Sequence, residues 1–219
     1  MQYLLNGANW DPTDPYGIPI LLLEHIQITL ISVLIGLAIA FPVSLLLVRY
    51  TRLYPTAITA ASIIYTLPSL AFMAFLIPFT QLTPATVIIP LVLYTQVVLI
   101  RNIVAAIRSI DPELVEVGRA MGMNNVQVQL RVVLPLAAPI IIAGLRVTTV
   151  TTIGIAAIGT YFGVDNLGYL IKEGLVNYYF NQILAGAILL TVVALGADLV
   201  LLRVQSLINR GRTAVIGVS

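Results

Sequence analysis

Apolar residues run through this chain in long uncharged stretches, and the polar positions between them are few and short. A helix that crosses about 30 Å of hydrocarbon needs roughly 20 apolar residues. Ile26 to Val48 meets that length without a charge, and Leu53 to Ile100 carries none over 48 residues. The second run holds two helices at about 1.5 Å per residue, with Gln81-Leu82-Thr83-Pro84 as the turn between them. Val132 to Val164 is interrupted only by Arg146, and Gly174 to Ala197 is again uncharged. The pattern predicts five spans, over 22–48, 55–80, 84–108, 132–158 and 178–204, with a polar loop over 109–131. The expected fold is therefore an all-α polytopic membrane protein, read as a single transmembrane domain over 1–219.

Two of these spans are not simple rods. Pro68, inside Thr66-Leu67-Pro68-Ser69, removes a backbone hydrogen bond and clashes with the preceding turn, so the second span should kink or break there. Pro42, Pro90 and Pro139 can bend their helices more mildly. Such breaks are either packing kinks or points that face protein or a water-lined path.

The polar loop is itself patterned. Asp111-Pro112-Glu113 is a helix start, with Asp as N-cap and Pro where a missing N–H costs nothing. Leu114, Val117, Gly118 and Met121 follow at i, i+3, i+4 and i+7 and give one apolar face. Glu113, Glu116 and Arg119 lie off it. Gly122 is the expected C-cap, and Asn124 or Asn125 can cap a second short helix.

Composition narrows the classes. Only 9% of residues are charged and the mean hydropathy is +1.02, too few charges to coat a soluble globule. With no Cys and one His, His25, disulfides, thiolate chemistry and multi-histidine metal sites are excluded, and no metal site is expected. The basic residues are arginines apart from Lys172 and are scattered, so nucleic acid is not an expected partner. Residues 1–20 lack a positive charge, unlike a secretory signal, so the first apolar segment is expected to be retained. Arg49 and Arg52, then Arg108, Arg119 and Arg131, then Arg203, Arg210 and Arg212 all fall on one side if the N-terminus is outside and the C-terminus inside. Positive charge in short loops marks the cytoplasmic face.

Glu116-Val117-Gly118-Arg119-Ala120-Met121-Gly122, a nine-residue gap, then Val132-Val133-Leu134-Pro135 resembles the EAA motif of ABC importer permeases. Val117-Gly118 stand where that family favours two alanines. Three further stretches are similar to the osmoprotectant permeases for glycine betaine, choline or carnitine: Thr66 to Ala71, Leu99 to Asn102 entering Asp111 to Leu114, and Thr152-Ile153-Gly154 leading to Gly163 to Gly168. Asp165-Asn166 departs from a Gly-rich turn there. The resemblance covers roughly residues 26–205. It implies that Glu113 and Glu116 to Gly122 form a coupling helix for a cytoplasmic ATPase subunit. It also implies a second permease chain, identical or sister, an external substrate-binding protein, and a bacterial or archaeal cytoplasmic membrane. The sequence has no phosphate-binding Gly-x-x-x-x-Gly-Lys motif, so ATP and Mg are expected on the ATPase, with no cofactor in this chain. The loop helix could instead lie on the bilayer. A methionine or other amino-acid importer, and an ATPase-independent carrier or channel, are the alternative functions.

A quaternary ammonium is held by aromatic faces through cation–π attraction. Tyr65, Phe72, Tyr94, Tyr161 and Phe162, with Pro68 and Ser69 at the break, are the candidates for a translocation path; packing or interface anchoring is their other reading. Arg146 is the charge well inside a span, and is expected either to face a gate, where it could attract a carboxylate, or to snorkel to the cytoplasmic surface. His25, Glu24 and Asp198 are expected to be interface residues. No Ser/His, paired Asp or His-Glu-x-x-His pattern supports an intramembrane enzyme.

Overall fold

A computed structural model describes residues 2–216, with side chains to Asn209. Met1 and 217–219 of the domain expected over 1–219, and the side chains of Arg210 and Arg212, lie outside the described residues. After a short helix α1 (Gln2–Leu5) and a 3-10 turn, α2 runs over Ile18–Arg49. Pro19 starts it four residues before the expected span, because Pro is pre-shaped for the first helical turn. A 3-10 turn leads to α3 (Tyr54–Thr66), α4 (Ser69–Thr80) and α5 (Pro84–Arg108). The loop contains α6 (Pro112–Ala120) and α7 (Asn125–Val128), which joins α8 (Leu134–Ala156) through a π-helical turn over Gln129–Val133. A 3-10 segment, Ala157–Phe162, ends at Gly163, and α9 (Gly168–Val176) precedes α10 (Phe180–Ile216). α9 is an element the pattern did not predict; it lies between the fourth and fifth expected spans.

The expected break at Pro68 is present and large. The helical segments on either side of Leu67-Pro68 are bent by 91°, with Leu67 in the extended conformation that a following proline favours. The pair nevertheless crosses from end to end. At one end the Arg108 guanidinium sits 4.9 Å from the Tyr54 ring, and at the other Gly163 packs on Leu82. Together with α2, α5, α8 and α10, all long and apolar enough to span, this makes five crossings.

α5 is the central helix, packed by α2, α8, α3 and α4. Its contact with α2 uses small residues: Ser32, Gly36, Ala40 and Ser44, spaced by four, are all buried. Lipid tails are as apolar as side chains, so helices in a bilayer associate by close packing and hydrogen bonds. A Cβ on Gly36 would come within 2.1 Å of Thr95 Oγ1. The carbonyl of Gly36 accepts a hydrogen bond from Gln96 Nε2 at 3.1 Å. Further in, Leu47, Leu99, Ile103 and Ile107 join Val128 and Val133 in one cluster, so the loop rides on the α2–α5 pair.

His25 corrects an expectation. It is fully buried rather than interfacial, because the fold folds a polar hub over it. Its Nδ1 lies 3.3 Å from Asn166 Oδ1 and its Nε2 lies 3.1 Å from the Ile153 carbonyl. Asn166, also fully buried, donates from Nδ2 to the carbonyls of Ala156 and Val164 and accepts from the Gly168 N–H. One side chain thus ties α2 to both sides of the Gly163 corner. Glu24 is exposed, as an interface residue would be.

Two outcomes are expected. Gly36→Ala forces the crossing apart and should cost about 1–3 kcal/mol, measured as a lower thermal midpoint in detergent, with Thr95→Ala in the same chain recovering part of the loss. Asn166→Leu keeps the volume but orphans several buried groups, and should cost about 3 kcal/mol or more.

Candidate coupling helix and translocation face

α6 is defined by its ends. Asp111 Oδ1 accepts the Glu113 N–H at 2.9 Å, and Pro112 occupies the first turn. At the other end the Met123 N–H reaches the Gly118 carbonyl and the Gly122 N–H reaches that of Arg119, the six-to-one and five-to-two bonds of a Schellman ending. Gly122 takes φ +82°, the left-handed conformation glycine adopts without strain. Asn124 then opens α7 with a reciprocal capping box: its Oδ1 accepts the Gln127 N–H, and its own N–H donates to Gln127 Oε1, both at 2.9 Å.

The apolar face of α6 divides in two. Gly118 is buried and turned inward onto Val128, Val132 and Met123, so it does not share the open face with Leu114, Val117 and Met121. Those three are 45%, 56% and 72% exposed. Glu113, Glu116, Arg119 and Ala120 are exposed around them. The coupling candidates are therefore one short helix carrying an open apolar stripe edged by charge. Behind it a cleft of about 490 Å³ opens between α6 and the inner ends of α2 and α5, and Arg49 and Arg119 line it.

The path candidates separate into two groups. Tyr65, Phe72 and Tyr94 meet beside the break: the Tyr65 and Tyr94 rings are 5.8 Å apart at 80°, and those of Phe72 and Tyr94 5.9 Å apart. Tyr94 is buried and its hydroxyl donates to the Leu67 carbonyl at 2.9 Å, satisfying a group released by Pro68. Pro68 itself is exposed, and Ser69 starts α4. Phe162 lies instead in the outer core with Met73 and Val87; neither it nor the exposed Tyr161 lines the crevice formed by Tyr65, Tyr94 and Thr151.

Arg146 does not stand alone. Its Nε and Nη2 donate to the two carboxylate oxygens of Asp198 at 2.8 and 2.9 Å, and Nη1 donates to Gln205 Oε1 at 3.1 Å. Asp198, expected to be an interface residue, is the acid of an ion pair joining α8 to α10, a correction that follows from Arg146 requiring a counter-charge at membrane depth. Gln205 in turn donates to the Pro139 carbonyl. The pair opens on a groove of about 740 Å³ between α8 and α10, where Thr151 and Thr191 are exposed. Thr151 also borders the aromatic crevice, which lies between α5 and α8, so the crevice and the ion-pair groove meet at that residue on neighbouring faces of α8. Arg101, exposed on α5 and donating to Ser62 Oγ at 3.0 Å, is a further cation inside a span. Sequence reasoning missed Asp198, Gln205, Thr151 and Arg101 as site residues; the signal for the first two was Arg146 itself.

Gly118 gives a direct test of the loop geometry. A Cβ built there meets only methyl and thioether groups at 3.4–3.7 Å, ordinary contact. Gly118→Ala should therefore be tolerated and raise stability by up to about 1 kcal/mol through helix propensity. Gly122→Ala should lower it, since the left-handed conformation penalises a side chain. The pair of thermal midpoints checks both.

Comparison with known proteins agrees with this architecture. Residues 32–213 match the family described as "Binding-protein-dependent transport system inner membrane component". The carnitine transport permease protein OpuCB of Listeria monocytogenes is 37% identical over 178 residues, 81% of this chain and 82% of that protein. The choline transport system permease protein OpuBB of Bacillus subtilis is 38% identical over 178 residues, with the same coverage. Among solved structures, an inward-facing MetNI methionine ABC transporter superimposes with a TM-score of 0.75 at 23% identity, covering 87% of this chain and 95% of that one. The multi-pass helices, the motif-bearing loop and these matches lead to one conclusion: the chain belongs to the binding-protein-dependent transport system inner membrane components, the permease subunits of ABC importers.

Proposed function

We propose that this permease imports a quaternary-amine osmoprotectant such as glycine betaine, choline or carnitine across a bacterial cytoplasmic membrane, driven by a separate ATPase. Identity above 35% to carnitine and choline permeases supports the substrate class. The similarity to a methionine transporter, at 23%, is one of fold. The observation that carries the coupling role is the exposed stripe of Leu114, Val117 and Met121 on a helix outside every span. A capped helix with an open apolar face fits a groove on another protein. Glu113, Glu116 and Arg119 would pair with charges at the groove rim. Binding of ATP and Mg to the ATPase pair would move that groove, and α6 would transmit the motion through Gly118 to Val128 and Val132, at the start of α8. Two copies, or this chain with a sister permease, would form the path between them, and an external binding protein would deliver the solute. Within the path, the exposed Tyr65 ring would offer a trimethylammonium group a face worth about 0.5–2 kcal/mol in cation–π attraction.

The test is Glu116→Arg in the permease co-purified with its ATPase. The reversed charge should leave the helices folded, weaken ATPase association at least about tenfold, which is about 1.4 kcal/mol, and abolish ATP-driven uptake in proteoliposomes. Unchanged association and unchanged uptake would remove α6 from the coupling role.

A further inference from the structure

The Arg146–Asp198 pair has features that a simple clamp between two helices does not need. A guanidinium has five N–H donors. Two are spent on Asp198 and one on Gln205. One N–H on Nη1 and one on Nη2 are left without a partner among the described residues. The Asp198 carboxylate accepts from Arg146 alone, and its side chain is 31% exposed against 24% for Arg146. Charges at membrane depth normally turn inward and satisfy themselves fully. Here both faces of the pair open on the groove between α8 and α10, whose other walls are Val147, Val150, Ala194 and Leu195 with the Thr151 and Thr191 hydroxyls at the edge.

Both threonine hydroxyls donate to carbonyls of their own helices, Thr151 to Val147 and Thr191 to Ala187. They leave the groove with no competing strong donor. No other charged residue lines it, so the site is neutral overall while presenting one full positive and one full negative charge side by side.

We infer that this ion pair is a recognition site for a zwitterion, the ligand's carboxylate seated on the free N–H groups of Arg146 and its quaternary ammonium beside Asp198. The inference rests on the quaternary-amine reading above and divides that substrate class. The ligand lies head to tail on the pair, so no protein hydrogen bond has to break. A carboxylate suits guanidinium N–H groups. A quaternary ammonium has no N–H to donate, so it needs only a carboxylate face and apolar walls for its methyl groups, both present here. A cation without a carboxylate, such as choline, gains Asp198 but lies next to the uncompensated Arg146. The site therefore favours carnitine or betaine over choline. Thr151 borders both the groove and the crevice of Tyr65 and Tyr94, so the two meet at its position on α8.

The double variant Arg146→Gln/Asp198→Asn keeps side chains that can hydrogen-bond across α8 and α10 but removes both charges. In proteoliposomes holding the permease, its ATPase and its binding protein, the ratio of kcat/KM for carnitine to that for choline should fall about tenfold, equivalent to about 1.4 kcal/mol. A ratio that stays constant, whether or not both rates drop, reduces the pair to a helix clamp and overturns the inference. The unmutated complex gives a second measurement that does not depend on the variant folding. In saturation-transfer NMR without the binding protein, the methyl protons of carnitine should receive magnetisation, and choline should displace carnitine only at much higher concentration; absence of transfer, or equal competition, also overturns it. If the unmutated complex accumulates neither solute with ATP, the quaternary-amine reading fails and takes this inference with it. If it accumulates both and the ratio is insensitive to the variant, only the zwitterion site fails.

Discussion

The approach of α2 to α5 at Gly36 is the constraint on which the remaining structure depends. At that crossing the room for a side chain on α2 is already occupied by Thr95. The buried small residues on either side, Ser32, Ala40 and Ser44, continue the contact along the helix. In water such a seam would add little, because small residues bury little apolar area. In lipid, where burying apolar area gives no advantage, backbone proximity is what remains to hold two helices. The Gln96 amide strengthens the seam, donating to the Gly36 carbonyl and to that of Val92 in its own helix. With α2 fixed, α5 becomes a post that the broken span and α8 can pack around.

That post also explains how a loop can carry force. Leu47 from α2 and Ile103 and Ile107 from α5 belong to the same buried cluster as Val128 and Val133 from the loop. Gly118 sits on Val128 and Val132, so a push on α6 meets packed side chains at close range and acts on the π-helical turn that begins α8. Such turns are less regular than the helix they interrupt and are common at functional places. Rigid support below and an irregular joint beside it are what the proposed coupling role of α6 would use.

Local features were legible in the sequence because local physics sets them. The break at Pro68 follows from one residue's missing N–H, and the ends of α6 follow from Asp111, Pro112 and Gly122. The uncharged runs coincide with the four long helices and the bent pair. What was not legible is pairing at a distance. His25 and Asn166 are 141 positions apart, and Arg146 and Asp198 are 52 apart; each side chain alone looks like an interface residue or a lone charge. The small-residue seam on α2 was present as a four-residue spacing, but its partner could be identified only once α5 was placed against it. α9 was missed because nine residues are too few to register as a span. Its start depends on Asn166 accepting the Gly168 N–H, an arrangement made by the corner and not by the helix's own pattern.

The distribution of polarity around α8 and α10 sorts their two sides. On the side shared with α2, a groove of about 550 Å³ is walled by Leu22, Ile26, Leu30, Leu34, Val193 and Leu201, without a charge. On the other side lie Arg146, Asp198, Thr151 and Thr191. Acyl chains can fill the first groove at no electrostatic cost. They cannot fill the second, because a part-exposed ion pair facing hydrocarbon would lose the solvation that holds both groups charged. The second side must therefore meet water or protein. A side that needs water or protein is what the proposed pairing with a second permease chain would cover.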